Sequence, residues 1–527
     1  MMAGLALGQS VDGLSSGWLL AAALVSAGVA LGSAARPRVW AAAVVTALTL
    51  AGAASYDLHR GRLPEWDVRP AREARLSLRI ERVFPTADAR KVTGLGAVVR
   101  SEAHVRELVG QRIYFSLALN RGEPVPLRTA EIFATGVLAT LPKNPPANSF
   151  EGYLANAGIN FRLQRGRVLA TEKTATAYAR FCARAVERFK TILSLGLREK
   201  RPELMALLRA MILGEMHELS EEQHALFRDS GTMHLFAISG MNIAVIAGAL
   251  QAALLLPFRR WPLGQFITGA AVLWLFVDIT GGAPSAVRAF SMAVFLQGAS
   301  AWWKPANILA ALTASALLVL VLAPLQFFSA SFVMSYGIMA ALLLLGLPLG
   351  DAWAARWNPW ASLPKATWRW WHHGTGLAWR GLTAALAVGL STTLAGMLMG
   401  VYYFGLLTPG AVATNLLLIP LASWATLSGF ISLVLGLAGW ESGAGFYNHA
   451  AALVLLCIQG IVRGGVKVPG AFLSAQFAAP WLGGPTIAVL GVSLLAGYGL
   501  GWRRSFGGFW PPFVLVALVL MFGMKFG

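Results

Sequence analysis

The sequence predicts a polytopic α-helical membrane protein of about ten to thirteen spans, with a small OB-like β-barrel inserted outside the membrane. Three observations carry that expectation. Of the 527 residues 56% are hydrophobic and only 13% charged, against about 25% charged in soluble domains, so most of the chain must face lipid or other buried protein. Apolar stretches of span length recur from one end to the other. One interval, residues 57–172, breaks the pattern: Arg and Glu return, and apolar and polar residues alternate. The first observation alone excludes a soluble multidomain enzyme.

Residues 1–56 read as a transmembrane hairpin, with apolar runs at 17–35 and 39–55 joined by Arg36-Pro37-Arg38. A secretory signal competes, since small residues around Gly32-Ser33-Ala34 suit cleavage. Against it, no basic residue precedes the run and a second span follows at once. Within 57–172, the segments 75–84, 92–101, 112–119, 131–141 and 161–170 have the period-2 pattern of half-buried strands. Five such strands suit a small barrel. Residues 68–172 hold 16 Lys and Arg against 9 Asp and Glu, with Phe84, Tyr114, Phe115 and Phe133 on the strands. Basic and aromatic together suit single-stranded nucleic acid, with Arg79 and Arg112 as backbone contacts and Tyr114 or Phe115 as a stacking ring. Tyr114 and Phe115 are neighbours on one strand and point to opposite faces, so at most one can line a surface. Core packing competes for each ring.

Residues 173–230 read as interfacial amphipathic helices, with Arg180, Arg184, Arg188 and Lys190 toward one side. Residues 231–527 carry spans at about 234–257, 263–280, 286–303, 307–323, 327–348, 381–402, 484–501 and 510–524. The run 408–438 suits two spans broken near Pro420. Segment 445–463 is more amphipathic through Asn448, His449, Gln459 and Arg463, and is expected to lie flat on the outer face. Basic loops at Arg36/Arg38, Arg259/Arg260, Lys304, 353–380 and Arg503/Arg504 fit the cytoplasmic side, which puts the barrel outside. The net charge of +19 exceeds what a few such loops need and calls for an anionic partner, lipid or nucleic acid. Cys182 and Cys457 lie far apart and support neither a disulfide framework nor a thiolate metal site, and no cofactor or metal is expected.

Polar residues at membrane depth are costly and mark cavities or interfaces. Three clusters qualify. The first, residues 230–248, contains His234, Ser239, Gly240 and Asn242 near the start of a span. In the second, residues 278–292, Gly281, Gly282 and Pro284 break the helix, and Ser285 and Arg288 follow. The third spans two segments, with Ser335 in 328–336 and Asn415 in 408–420. Broken helices line polar pathways and their amino termini attract anions, so Arg288 beside such a break suits a phosphate, with Asp278 as a competing partner. For the serines and Asn415, helix packing competes with a lining role. A hydrolase is disfavoured: His234 and Ser239 diverge by about 140° on one helix, no GxSxG or HExxH motif occurs, and His372-His373 is a lone pair in a basic loop. No Walker motif is present either.

In this order the clusters resemble the ComEC family, the inner-membrane channel that passes single-stranded DNA into the bacterial cytoplasm during natural transformation. Residues 211–248 are similar to the family's Gly turn, polar helix and SGT-x-HLLA-x-SG pattern through Gly214, Ser230, Gly231, His234, Ser239 and Gly240. Residues 280–289 resemble TG-x-x-PS-x-x-RA through Gly281, Pro284, Ser285 and Arg288. Ser335 matches the FQLSF segment, Asn415 and Pro420 match AN-L-x-x-x-P, and 148–159 is similar to the stretch that closes the OB-like domain. The departures are Asn242, where the family has His, and Val333, where it has Gln. The resemblance implies a non-enzymatic channel for single-stranded DNA among membrane lipids, lined by the residues of the three clusters. It further implies a periplasmic DNA receptor and a cytoplasmic motor or single-strand-binding protein. Many members continue into a metallo-β-lactamase-like domain; with Gly527 the last residue here, a separate nuclease is expected. A transporter or exporter of an anionic small molecule or lipid is the alternative function.

Overall fold

Alternation in residues 72–173 and long apolar runs elsewhere fold into two different kinds of unit. The computed structural model describes the chain except residues 11–15, 62, 68, 87, 89, 121, 144, 147, 148, 237, 365, 366 and 527. The units are Met1–Arg184 with Ala316–Ser329, and Ala185–Ser315 with Ala330–Gly527.

The first unit opens with helices α1 (Met2–Ser10), α2 (Ser16–Gly32) and α3 (Pro37–Arg60), with Pro37 at the first position of α3. Strands β1 (Arg72–Phe84), β2 (Lys91–Ser101), β3 (Arg112–Ala118), β4 (Glu131–Thr140) and β5 (Phe161–Lys173) follow, with helix α4 (Phe150–Asn156) between β4 and β5. The strands close into a barrel in the order β1-β2-β3-β5-β4, antiparallel throughout except for the parallel pair of β3 and β5. All five expected strands are present within a few residues of their predicted ends. Leu76, Leu78, Ile80, Ile113, Phe115 and Phe161 fill the barrel. Asn148, which opens the family-like stretch 148–159, lies outside the described residues.

A buried amide ties α3 to the start of β5. Asn160 donates from Nδ2 to the carbonyls of Arg60 (2.8 Å) and Gly61 (3.2 Å), and its Oδ1 accepts from the Arg60 guanidinium. Asn160→Ala leaves these buried groups without that partner, and each such group costs about 1–3 kcal/mol. The expected result is faster amide hydrogen exchange at the start of β5; protection equal to wild type would refute the tie.

In the second unit, α5 (Ala177–Ser194), whose last turns belong here, leads to α6 (Pro202–Leu213) and α7 (Glu221–Asp229). Then come α8 (Gly240–Leu255), α9 (Pro262–Ile279), α10 (Pro284–Ala301) and α11 (Ile308–Leu322), of which the part from Ala316 onward belongs to the first unit. Helix α12 (Ala330–Ala341) runs through a π-helical turn at Leu342–Gly346 into α13 (Leu347–Arg356). The chain ends with α14 (Trp370–Phe404), α15 (Ala411–Leu437), α16 (Glu441–Val466), α17 (Gly483–Gly499) and α18 (Trp510–Phe522). Short strands β6 (Leu406–Leu407), β7 (Leu473–Phe477) and β8 (Met524–Phe526) pair in that order. Among the described residues eight helices, including α15 and α16, are long and apolar enough to cross a membrane, and three shorter apolar helices accompany them. The protein is a polytopic helical membrane protein with a small barrel.

Several expectations change. Segment 445–463 does not lie apart as a flat helix: α16 runs back antiparallel along α15. Ser428 Oγ donates to Tyr447 O (3.1 Å) and Ser432 Oγ to Ala444 O (3.0 Å), while a Cβ on Gly465 would meet Thr414. Of its polar side chains Asn448 and Gln459 are buried against protein, while His449 and Arg463 are exposed. The run 408–438 is one helix with Pro420 inside it, not two spans.

Helix α6 buries Leu204, Leu207, Leu208, Met211 and Ile212 within its unit, while Glu203 is exposed and Arg209 pairs with Glu218 (2.9 Å). On α5 Arg180, Arg184 and Arg188 are exposed as expected, whereas Lys190 is half-buried against Glu215 (2.8 Å). His372 and His373 sit in the first turn of α14 rather than in a loop, and His372 Nδ1 accepts from the Arg369 amide (3.0 Å).

Candidate functional site

Two glycine turns and one serine cap set the site. Helix α7 ends where Gly231, at φ +66°, turns the chain: its N–H bonds Arg228 O and that of Thr232 bonds Phe227 O, closing a Schellman cap. Helix α9 ends the same way. Gly281 (φ +89°) bonds Asp278 O, Gly282 (φ +58°) bonds Val277 O, and Pro284 then starts α10. The Gly-Pro break is therefore the turn of a hairpin between two helices, and glycine is required there by backbone conformation. Ser239 caps α8, accepting from Asn242 N at 3.3 Å.

These turns bring the start of α8 against the start of α10. Ser285 Oγ donates to Ile238 O (2.6 Å), and a Cβ placed on Gly240 would rest 3.7 Å from that of Ala289. One turn further along α10, Arg288 is 1% exposed. Its Nη2 donates to the carbonyl (2.8 Å) and hydroxyl (2.7 Å) of Ser331 on α12. Its Nε and Nη1 are buried with no hydrogen-bond partner. The expected alternative partner, Asp278, does not pair with it, and among the described residues no carboxylate forms an ion pair with Arg288. Around it lies a polar chain across three helices: Ser291 Oγ meets Ser315 Oγ at 2.6 Å, and Ser315 Oγ meets the Tyr336 hydroxyl at 2.8 Å. The Arg288 guanidinium carbon stands 6.0 Å from the centre of the Tyr336 ring. A permanent cation with two idle donors, held among membrane helices, is equipped to receive an anion.

The other expected residues are distributed around this centre. Ser335 lies one turn after Ser331 on α12, on the same face, and is half-buried. His234 is exposed in a short 3₁₀ turn, with Nδ1 2.9 Å from Gly231 O. Its Nδ1 is engaged by Gly231 O and the Ser239 oxygen is occupied as a cap, so among the described residues the pair has no nucleophile–base geometry. Asn415 is half-buried on α15. Asn242 is 1% exposed, donates to Met211 O (3.0 Å) and accepts from Thr426 Oγ1 (3.3 Å), so its amide is engaged on both sides. It ties α8 to α6 and α15.

On the barrel the expected contacts move. Phe115 is wholly buried in the core and Tyr114 is 9% exposed beneath α4, so neither ring is open to a base. Burial also raises the Tyr114 pKa above the ordinary phenol value. Arg79 pairs with Glu131 (3.5 Å) and Arg112 with Glu81 (2.7 Å). Sequence reasoning missed Ser331 and Tyr336, although both belong to the apolar-serine segment around Ser335. Glu215, His217 and Glu218 place three possible metal ligands within 4.8 Å of one another. Their carboxylates are already matched, Glu215 by Lys190 (2.8 Å) and Glu218 by Arg209 (2.9 Å). Burial works against the Lys190 charge, but Glu215, Glu187 and Glu218 outweigh it and hold its pKa above the ordinary lysine value. The cluster is an ion-pair network.

Fold and site together define a membrane protein with a soluble barrel and an unpaired cation inside its helical unit. A family model described as Competence protein matches residues 211–499, more than half of the 527, and the chain belongs to that family. ComE operon protein 3 of Bacillus subtilis (strain 168) is 28% identical over 145 residues, which cover 27% of this chain and 18% of that protein. No solved structure matches.

Proposed function

We propose that this protein is a channel that passes single-stranded DNA through the cytoplasmic membrane during competence, with the barrel on the outer face. The observation that carries this reading is Arg288, a buried guanidinium with Nε and Nη1 unpartnered at the start of α10. Fixed positive charge of this kind attracts passing phosphates without reading sequence. Its single pair of bonds to Ser331 leaves donors free, which suits transient contact better than tight storage. The surplus of Lys and Arg over residues 68–172 supports reception of the strand by the barrel. Gly240, Gly281, Ser285 and Ser335 surround Arg288 or the turns that hold it, and they are the residues we assign to the path; His234, Ser239 and Asn415 belong to its approaches. Pulling falls to a cytoplasmic motor or single-strand-binding protein.

Uptake of marker DNA by cells lacking the gene, then complemented with wild type, tests this directly. Loss on deletion and recovery on complementation are expected. Undiminished uptake after deletion would sink the reading and favour transport of a small anion through the same arginine.

A further inference from the structure

In OB-type barrels the face of strands 2 and 3 and the loop between strands 4 and 5 take oligonucleotides. Here that loop contains α4, and α4 covers that face. Leu95 of β2 and Tyr114 of β3 pack with Leu141, Leu154 and Ile159 into a small core beneath the helix. The strand aromatics are thereby removed from solvent. Two other rings replace them at the surface: Phe150 is 52% and Tyr153 39% exposed. They stack on each other with centroids 6.0 Å apart and planes 20° from parallel. Tyr114 braces Phe150 edge-on at 5.1 Å, and Phe84 stands between Tyr114 (6.4 Å) and Tyr153 (6.3 Å). The guanidinium of Arg82 lies 5.7 Å over the Phe84 ring, and Arg82 has no carboxylate partner among the described residues.

We propose that Phe150 and Tyr153 form a base-stacking platform for single-stranded nucleic acid on α4, with Arg82 at its edge for the backbone. The inference rests on the channel reading and assigns its point of reception. Two large apolar rings held near-parallel at the surface are costly to leave in water, and their support by Phe84 and Tyr114 fixes the stack before a ligand arrives. The occupant follows from charge and shape. Every base offers a flat face to such a stack, and the surrounding domain carries 16 basic against 9 acidic residues over 68–172.

The test uses the full chain in nanodiscs of zwitterionic lipid, with a fluorescent oligothymidylate and the same backbone made abasic as probes. Phe150→Ala with Tyr153→Ala is expected to weaken oligothymidylate binding by about tenfold or more, the loss of a stacked base, and to leave abasic binding unchanged. Phe150→Trp retains the wild-type affinity and controls for folding. Equal oligothymidylate affinity in wild type and double variant overturns the platform while leaving the channel reading standing. Absence of any oligonucleotide binding by wild type overturns both. If the double variant binds oligothymidylate normally but loses adhesion to vesicles of anionic lipid, the rings are a membrane anchor and the proposal fails.

Discussion

Arg288→Met is expected to abolish uptake of marker DNA while leaving the thermal unfolding midpoint close to that of wild type. The argument rests on two opposed terms. The substitution removes the bonds to Ser331 O and Oγ, which as charge-assisted bonds contribute about 1.5–3 kcal/mol. It also removes a buried charge with two unpartnered nitrogens, and burying an uncompensated ion costs several kcal/mol. A structural arginine gives the other outcome, a large fall in midpoint on substitution. Arg288→Lys is expected to give intermediate uptake, because a single ammonium keeps the charge but cannot hold Ser331 and present idle donors together. Uptake by Arg288→Met cells equal to wild type, with the protein present in the membrane, would remove the arginine from the path.

The largest effect on stability is expected at Asn448→Leu. Asn448 Nδ2 donates to Ile192 O (2.8 Å) and Leu195 O (3.1 Å) at the end of α5, and its Oδ1 accepts from Ser432 Oγ (2.7 Å) on α15. The residue is fully buried. Leucine leaves Ile192 O and Leu195 O without this donor and Ser432 with Ala444 O as its remaining acceptor, for a loss on the order of 2–4 kcal/mol. A lower unfolding midpoint in detergent and new protease cleavage between Leu195 and Arg201 are the expected readings. Ser432→Ala removes one of the bonds and should cost about a third as much. A midpoint for Asn448→Leu equal to wild type would show that these distances carry no stability.

The barrel was legible in the sequence because alternation and turn residues are local signals, and β1 to β5 begin and end within a few residues of the expected runs. Its cover was not. Nothing in the alternation of β3 reveals that α4, from the following loop, folds back over Tyr114. The polar clusters were legible for a similar reason: a serine, asparagine or arginine inside an apolar run stands out by cost alone. What each one does depends on partners remote in sequence. Asn242 meets Met211 and Thr426, 31 and 184 positions away, which turns an apparent lining residue into a tie. Asn448 meets Ile192 across 256 positions, so composition alone read its helix as one facing headgroups. Arg288 was recognisable as a cation at membrane depth; that its partner is Ser331 and not Asp278 required the packing of α10 on α12.

The small sheet of β6, β7 and β8 has a consequence for how the chain enters a bilayer. Because Leu406–Leu407 pairs with β7 and Ala475–Phe477 pairs with β8, the carboxyl-terminal ends of α14, α16 and α18 are bound to one another on a single side. Their directions are thus one shared choice rather than three. Arg369 just before α14, Arg380 within it and Arg503 and Arg504 before α18 lie toward the opposite ends, where the positive-inside bias would weigh on that one choice. A helix inserted backwards would strand its segment across the bilayer from the strands it must join. Pairing of this kind would penalise mixed orientations that hydropathy alone would tolerate.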